Sequence, residues 1–388
     1  MTASQPIRVA FLTPSLNAGG AERQMLLLAA TLPRPEFEVR FILLWERGPW
    51  AAQAEALGLR IDVLGLRPQD CAGLRPRCLM AALRAVRQYL VLARRVDIVD
   101  AWLVPSYTFA GFAQPLARVP VLIAGRRSLL GHYREKPWYR RAAAGWATRL
   151  TRAVVANSRA AGEEAISQEG VPPNRVHVIP NAVIPANPSP GERDRRRHAW
   201  GFGPDDLVVG CVANYRPGKG LDHLLEVASR LRPSVPGLRF VLVGEGPLRE
   251  HLAAEIHERH LGPIVVLNGT EVDARNVYPA FEIVVQASDS EGLPNVILEA
   301  ASAGRAIVAT DVGGTRDVLT NDRDGLLVAA GDVDALAQAV LRLTTDADLR
   351  RRLGAAAQRR SEAFSAEHLA GQTAALYRQL LGGRRRGS

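Results

Sequence analysis

The chain has 388 residues, of which 47% are apolar and 23% are charged. This length suits two domains, and the composition is that of a folded globular protein, which excludes a disordered or fibrous chain. The three cysteines, Cys71, Cys78 and Cys211, show no C-x-x-C spacing, so a disulfide framework is excluded and a reducing compartment is favoured. The net charge of +10 leaves nucleic acid, an anionic membrane and a phosphate-bearing substrate open as partners.

The amino-terminal sequence runs directly into the apolar stretch 7–12 without a basic flank or a cleavage signal. We therefore predict no signal peptide. The apolar runs are all broken by charge well before the roughly 18 residues that cross a bilayer. We expect a cytoplasmic protein whose membrane contact is peripheral, at the inner face of the plasma membrane.

The predicted elements alternate between short apolar strands and helical segments along the whole chain. The first series has a helix at 21–32 and strands at 7–12, 39–44, 97–101, 121–124 and 153–156. A second series has strands at 207–213, 239–243, 264–267, 283–286 and 306–309. The alternation predicts two doubly wound α/β domains with parallel sheets.

A proline-rich stretch at 179–190 separates the two series and predicts the domain linker. We therefore predict an amino-terminal domain over residues 1–182 and a carboxyl-terminal domain over residues 183–365. The segment 366–381 has a helical pattern, and the Gly-Gly-Arg-Arg-Arg-Gly-Ser sequence behind it is expected to fray.

The first predicted strand is followed by Gly19 and Gly20 immediately before a helix. Helix amides and the helix dipole attract an anion there, and glycine permits close approach of a phosphate. A purely structural role for two glycines in such a turn is equally compatible with the sequence. The surrounding residues do not form the G-x-G-x-x-G fingerprint, which argues against a dehydrogenase.

The second series opens with a strand followed by Arg216 and Lys219, three residues apart across a Pro-Gly turn. Ligands bind at the carboxyl ends of parallel strands, and two cations at this position can clamp a diphosphate. Lysine occurs only twice among 49 basic residues, so its use here suggests a need for a compact point charge. The alternative is a solvated basic turn.

A second anion-binding element is predicted where the strand at 283–286 leads into a helix. Backbone amides over Gly292, Leu293, Pro294, Asn295 and Val296 can face a phosphate at the helix start. Glu291 and Glu299 flank this segment, and their carboxylates suit the vicinal hydroxyls of a sugar and a ribose. The alternative interpretation makes Glu291 a helix-start charge and Glu299 a surface residue.

These motifs together resemble the family 4 glycosyltransferases, which are retaining enzymes of the GT-B fold with two Rossmann-like domains facing each other across a cleft. The resemblance spans nearly the whole chain and is strongest after residue 205. It rests on Asn17-Ala-Gly-Gly-Ala-Glu-Arg23, Arg216-Pro-Gly-Lys-Gly220, Val243-Gly-Glu-Gly-Pro247, Glu291-x7-Glu299, Ala301-Ser-Ala-Gly-Arg-Ala-Ile-Val308 and Asp311-Val-Gly-Gly314.

The resemblance implies a role for each matching residue. Arg216, Lys219 and Glu291 would be the catalytic set, with the two cations on the donor diphosphate and Glu291 on the transferred sugar. Glu299 would hold the ribose, and Asn268 to Val272 would contact the base. Donor binding would also involve Gly19, Gly20, Gly244, Gly246 and the segment 292–296.

The resemblance further implies that the sugar is transferred with retained configuration, without a metal or other cofactor, and that the carboxyl-terminal helix over 366–388 joins the first domain. The neighbouring His257 and His260 are attributed to a polar surface helix rather than to a metal site. The chain departs from the family after the fourth strand, where many members carry a histidine. Here the sequence has Trp102 and, later, Arg126 and Arg127, which we assign to the acceptor side.

A basic and aromatic segment at 126–152 interleaves arginines with tryptophans and tyrosines. Tryptophan beside arginine is typical of a membrane interface, so we predict contact with an anionic inner membrane that carries a lipid-linked acceptor. However, Trp138, Ala142, Trp146 and Leu150 recur at every fourth position, which equally describes a helix that buries one face.

We therefore predict a glycosyltransferase that uses a nucleotide-sugar donor and a glycan or lipid-linked acceptor in cell-surface polysaccharide or glycolipid synthesis. The alternatives are a sugar-nucleotide epimerase or phosphorylase of the same fold and a non-catalytic sugar-nucleotide-binding protein. No nucleic-acid-binding motif accompanies the basic residues, so we expect no nucleic-acid partner.

Overall fold

The computed structural model describes residues 5–17, 19–67, 76–129, 137–271 and 274–385. The chain divides into two compact units, one formed by Met1–Asn181 together with Ala366–Ser388 and the other by Ala182–Ser365. Each unit has its own parallel sheet with helices on both faces, as the alternating pattern of the sequence predicts.

The first unit contains a seven-stranded sheet in the order β3-β2-β1-β4-β5-β6-β7. Its strands are β1 (Ile7–Thr13), β2 (Phe37–Leu43), β3 (Arg60–Val63), β4 (Ile98–Trp102), β5 (Val121–Arg126), β6 (Ala153–Ala156) and β7 (Val176–Val178). Its helices are α1 (Gly20–Thr31), α2 (Ala51–Ala56), α3 (Pro76–Ala93), α4 (Val104–Ala117), α5 (Trp138–Arg149) and α6 (Arg159–Glu169). The central strands are buried on both faces, which explains their continuous apolar sequence.

The second unit contains a six-stranded sheet in the order β10-β9-β8-β11-β12-β13. Its strands are β8 (Leu207–Val212), β9 (Leu238–Val243), β10 (Val265–Gly269), β11 (Ile283–Gln286), β12 (Ala306–Thr310) and β13 (Leu326–Val328). Its helices are α7 (Glu192–Ala199), α8 (Leu221–Leu231), α9 (Arg249–Glu258), α10 (Asn295–Ser302), α11 (Thr315–Val318), α12 (Val333–Thr345) and α13 (Ala347–Ser361). Alternate strand residues face two separate apolar layers, with Val209 in one and Val208 in the other.

The last helix, α14 (Ala366–Arg385), belongs to the first unit. The hydroxyl of its buried Tyr377 donates to Asp100 Oδ2 at 2.7 Å, and Arg378 forms an exposed ion pair with Glu36. The helix extends beyond the predicted end at Leu381 and includes Gly382 and Gly383. The prediction of fraying is therefore wrong for the residues up to 385, and the last three residues lie outside the described part of the chain.

Three strands are absent from the prediction, namely β3, β7 and β13. All three lie at the edge of a sheet, and β7 and β13 have only three residues each. Edge strands are short and have one unpaired side, so they carry little of the apolar signal that marks central strands. The ten strands that were predicted are all present within a few residues of their expected bounds.

The described part of the chain has one cysteine side chain, Cys211, which is buried and unbonded in the core of the second unit. Burial raises the pKa of its thiol to about 12, so the thiolate that would be needed for reactivity is disfavoured. Cys71 and the side chain of Cys78 lie outside the described residues. Within the described ranges, no helix is both long and apolar enough to cross a membrane.

Candidate active site

The strand order of the second sheet creates a natural binding position. The order reverses between β8 and β11, so the connections that follow these two strands leave in opposite directions and open a crevice at their carboxyl ends. Arg216 and Lys219 follow β8, and Glu291 follows β11. The residues predicted to hold the diphosphate and the sugar therefore meet at the topological switch point.

Glycine allows the loop after β8 to lie against the loop after β11. Gly218 and Gly220 both have positive φ, 81° and 62°, which L-residues with a side chain rarely adopt. A Cβ atom at Gly220 would overlap the carbonyl oxygen of Ala287, and the amide of Asp289 donates to the carbonyl of Gly218 at 3.0 Å. These contacts hold Lys219 beside the second loop.

Lys219 and Glu291 form a direct ion pair in this structure. Lys219 Nζ donates to Glu291 Oε1 at 2.5 Å, and the two side chains are only 15% and 17% exposed. Arg216 is exposed and pairs with no carboxylate in the described part of the chain. The crevice thus contains the exposed guanidinium of Arg216 and the ammonium of Lys219. The charge of Lys219 is balanced by Glu291, the carboxylate predicted to bind the sugar.

Gly244 and Gly246 have a structural explanation that does not require a ligand. Their φ angles are 148° and 155°, and a Cβ atom at either position would overlap the backbone of Ala213 or Tyr215. The amide of Tyr215 donates to the carbonyl of Glu245 at 2.8 Å. The two glycines therefore let the loop after β9 support the loop that carries Arg216, while direct contact with substrate stays a prediction.

The helix start at α10 has the predicted position. Gly292, Leu293 and Pro294 are buried in the turn before it, and Asn295 and Val296 begin the helix. The leading amides of a helix lack intrahelical acceptors, so this turn can face an anion at the crevice. The amide of Gly314 donates to the carbonyl of Gly292 at 2.8 Å, which fixes the turn against the loop after β12.

Glu299 lies one turn inside α10 and is 8% exposed. Its Oε2 atom accepts a hydrogen bond of 2.9 Å from the hydroxyl of the buried Tyr278. The interpretation of Glu299 as a surface residue is therefore wrong. A carboxylate can accept several hydrogen bonds, and Tyr278 is a positioning partner of Glu299 that no motif in the sequence identifies.

The predicted base-contacting segment 268–272, which begins in the last two residues of β10, is tied to α7. Trp200 Nε1 donates to Asn268 Oδ1 at 2.6 Å, and Asn268 Nδ2 donates to Glu271 Oε1 at 2.7 Å. Arg196 donates to the same Glu271 oxygen at 2.8 Å. Because both ends of the Asn268 amide are engaged, its side chain supports the segment instead of offering free groups to a base. Val272 lies outside the described residues.

In the first unit, the loop with Gly19 and Gly20 precedes α1 at the carboxyl end of β1, beside the switch point between β1 and β4. The side chain of Glu22 folds back into the space that a Cβ atom at Gly19 would take. Burial raises the pKa of Glu22. The helix start predicted to attract an external anion therefore already has a carboxylate of the chain beside it.

Leu103 directly follows β4 at the same switch point and has φ 68° and ψ 153°. This backbone conformation is almost confined to glycine and costs on the order of 1–3 kcal/mol for other residues. Leu103 belongs to the region after the fourth strand, where the family resemblance leads us to expect a histidine. Strain of this kind is concentrated at functional sites, and the sequence gives no indication of it.

The three residues assigned to the acceptor side are mainly packed into the first unit. Trp102 is completely buried, with the Arg127 guanidinium 3.6 Å from its ring centre. Arg126 is 3% exposed and forms an ion pair with Glu169. Burial lowers the pKa of Arg127 to about 10. In this structure Trp102 and Arg126 cannot reach solvent, and their acceptor role stays a prediction.

The segment 126–152 contains α5, whose outer face is unexpectedly apolar. Trp138, Ala142, Trp146 and Leu150 are all exposed, whereas Ala144, Ala147 and Thr148 form the buried face. The interpretation of the every-fourth-residue pattern as a core-facing stripe is therefore wrong. Lys136 and residues 130–135 lie outside the described part of the chain.

Among the described residues, no group of three His, Cys, Asp or Glu side chains could hold a metal ion. His257 and His260 are exposed at the end of α9 and beside it, as expected for a polar surface helix. The absence of a cofactor requirement stays a prediction.

One seven-stranded and one six-stranded parallel sheet, each in its own Rossmann-like unit, are the architecture of the GT-B fold. Residues 18–187 match the sequence model described as Glycosyltransferase Family 4, and residues 206–346 match the one described as Glycosyl transferases group 1. The chain belongs to the family 4 glycosyltransferases.

Individual relatives agree with this assignment. EpsF of Bacillus subtilis is 28% identical over 80% of this chain and 80% of its own length. The alpha-maltose-1-phosphate synthase of Mycolicibacterium smegmatis is 31% identical over 64% of this chain and 68% of its own length. The crystal structure of Anabaena HepE in complex with UDP and glucose superimposes with a TM-score of 0.83, 22% identity and coverage of 95% of this chain and 99% of HepE.

Proposed function

We propose that this glycosyltransferase takes its sugar from a UDP-sugar and transfers it, with retention of anomeric configuration, to a glycan or lipid-linked acceptor in cell-surface polysaccharide or glycolipid synthesis. The observation that carries the proposal is the Lys219–Glu291 pair at the switch point beside the exposed Arg216. The UDP bound to the structurally similar HepE supports uridine as the base.

Binding of a donor diphosphate would rearrange the charges of the crevice. The phosphate oxygens would compete with Glu291 for Lys219, and Arg216 would supply a second set of donors. As the bond between the sugar and the diphosphate breaks, the acceptor hydroxyl oxygen bonds to the same sugar carbon and its proton passes to the leaving diphosphate. The negative charge that grows on the leaving phosphate is stabilised by the two cations. Glu291, released from Lys219, would then accept hydrogen bonds from the sugar hydroxyls.

Glu299 would hold the ribose, because its carboxylate is oriented by Tyr278 and lies within the first turns of α10. The segment 268–272 would contact the base chiefly through its backbone, since the Asn268 side chain is engaged on both sides. No step in this scheme requires a metal ion, and the cations that neutralise the leaving group belong to the protein.

A donor screen followed by product analysis tests the proposal. Calorimetric titration with UDP-, GDP-, ADP- and dTDP-sugars should show the tightest binding for a UDP-sugar. The anomeric configuration of the product, measured from proton NMR coupling constants, should match that of the donor. An inverted product would contradict retention, and preference for another nucleotide would contradict the base assignment.

We also propose that the acceptor is presented at an anionic membrane. Support comes from the exposed Trp138, Tyr139 and Trp146 on α5, which lie beside exposed arginines. The enzyme would act at the inner face of the plasma membrane, where lipid-linked glycans are accessible to a peripheral protein. Extracted membrane lipids should then serve as acceptor for transfer from the preferred donor, whereas a delipidated extract should not.

A further inference from the structure

The outer surface of the first unit carries a continuous apolar stripe on two packed helices. On α5, Trp138, Trp146 and Leu150 are 74%, 45% and 38% exposed. On α4, the ring of Phe112 stacks on Trp146 with 4.7 Å between ring centres, and Leu116 follows one turn later. Soluble proteins rarely leave so many large apolar side chains together in water, so a covered surface is expected here.

The stripe ends at a concavity of about 380 Å³ on the surface of the first unit. Arg149, Arg152 and Arg175 line it together with Gln114, Leu122 and Leu150. Arg152 directly precedes β6, and Arg175 directly precedes β7. The concavity therefore lies at the amino-terminal edge of the sheet, opposite the edge at which α/β enzymes bind their substrates.

The three arginines are exposed and have no carboxylate partner in the described ranges. Arg175 Nη1 donates to the carbonyl oxygen of Arg149 at 3.3 Å, which orients one guanidinium at the rim. The sequence from Lys136 to Gly162 contains six basic residues and no acidic residue. Unbalanced guanidinium groups around a concave surface suit phosphate oxygens, which they can bind in bidentate fashion.

We infer that the concavity formed by Arg149, Arg152 and Arg175 binds the phosphate groups of anionic lipids while the apolar stripe on α4 and α5 enters the membrane interface. A lipid surface accounts for both features, because tryptophan and leucine side chains insert between headgroups that arginine contacts. A nucleic acid would account for the arginines but not for the exposed Leu116 and Leu150.

The direction of α5 gives this surface a functional meaning. The helix connects β5 to β6, so it begins at the carboxyl edge of the sheet and returns to the amino edge. A membrane along α5 would therefore extend from the headgroup-binding concavity to the edge from which substrate-binding loops of the first unit project. The inference rests on the proposed presentation of the acceptor at a membrane. Lipid binding can nevertheless be measured without measuring sugar transfer.

The test is flotation of the full chain with vesicles of phosphatidylcholine, with or without phosphatidylglycerol. Wild-type protein should float only with the anionic vesicles. The triple substitution Arg149→Gln, Arg152→Gln and Arg175→Gln should weaken binding by at least about tenfold, since each basic residue near an anionic surface contributes roughly fivefold. The matched control, Arg323→Gln, Arg352→Gln and Arg359→Gln, removes the same charge from exposed positions in the second unit and should bind like wild type.

Equal loss of binding in both triple variants would overturn the inference, as would equal binding to neutral vesicles or displacement from vesicles by a short RNA. Quenching of tryptophan fluorescence by brominated acyl chains tests the stripe in the unsubstituted protein, and its absence would contradict insertion. Millimolar inorganic phosphate should not induce flotation with neutral vesicles. UDP binding should be unchanged in the first triple variant, so failure of the lipid site and failure of the donor site give different results.

Discussion

Lys219 is one of two lysines in a chain with 47 arginines, and it forms the charge pair at the centre of the proposed site. The rarity of lysine in the composition therefore drew attention to this position, and its role in donor binding stays a prediction. Its partner could not be predicted in the same way, because Glu291 is 72 residues away and the pair exists only where the loops after β8 and β11 meet. Sequence motifs identified both residues but assigned them separate tasks.

The contacts of buried polar residues in the first unit could not be predicted from the sequence. Asp100 and Tyr377 are 277 residues apart and join α14 to β4 through one hydrogen bond. Burial is the main reason that the pKa of each is raised. Neither residue belongs to a motif, and only the folded structure shows that the bond anchors the last helix.

Replacing Tyr377 by Phe should lower the free energy of unfolding by about 1–3 kcal/mol, because a buried acceptor loses its donor. Urea denaturation followed by circular dichroism measures the change. Arg378→Gln is the control on the same helix, since it removes an exposed ion pair with Glu36 and should cost less than about 1 kcal/mol. Equal effects of the two substitutions would contradict an anchoring role for Tyr377.

Glu22 provides a prediction for pH dependence. Burial raises its pKa in the folded state, so its contribution to stability is complete below the unfolded pKa and is lost as the pH rises through the folded pKa. Glu22→Gln cannot ionise and should therefore gain stability relative to wild type between acidic and neutral pH. Urea denaturation at a series of pH values measures this difference. A difference that is constant with pH, or that shrinks toward neutrality, would show that the buried carboxylate is not destabilised by ionisation.

At the level of elements, the sequence predicted the central strands and missed three edge strands. The apolar sequences of strands such as β8 and β11 follow from burial on both faces, whereas β7 and β13 have only three residues. The orientation of α5 was also not predictable. Its spacing gives the period of a helix but does not show which face is buried. The small residues Ala144 and Ala147 form the buried face, and Trp138 and Trp146 remain exposed.

The connection between the end of α7 and the segment 268–272 predicts a role for Trp200 in donor binding. Trp200→Phe removes the hydrogen bond to Asn268 and keeps most of the packing on Phe281. We expect UDP affinity to fall about fivefold, which corresponds to about 1 kcal/mol for one hydrogen bond. Calorimetric titration with UDP measures the loss.

Phe202→Leu is the matched control, because Phe202 packs beside Trp200 in the same core and makes no hydrogen bond to the segment. This substitution should lower the free energy of unfolding without lowering the affinity for UDP. If both substitutions lower the affinity for UDP to the same extent, then core packing, and not the Trp200 hydrogen bond, determines how the segment 268–272 binds UDP.

At the level of the whole molecule, the sequence pattern predicted two doubly wound units. The assignment of the last helix to the first unit came only from the family resemblance. The strand order was not encoded in local patterns, yet it positions the candidate site, because the reversal between β8 and β11 brings the two candidate loops together. The arginine concavity of the first unit is a comparable case. It is assembled from residues that precede separate strands, so no single segment shows it.

The most direct test of the donor site is calorimetric titration of wild type, Lys219→Gln and Glu291→Gln with UDP and with the preferred UDP-sugar. Lys219→Gln should lower the affinity for both ligands by about 10- to 100-fold, as expected for a lost charged hydrogen bond to phosphate. Glu291→Gln should lower the affinity for the UDP-sugar. It should not lower the affinity for UDP, because UDP gains full access to Lys219. Arg352→Gln, an exposed change in the second unit, should bind like wild type. Unchanged affinity of Lys219→Gln for UDP would contradict a donor site at the switch point of the second unit.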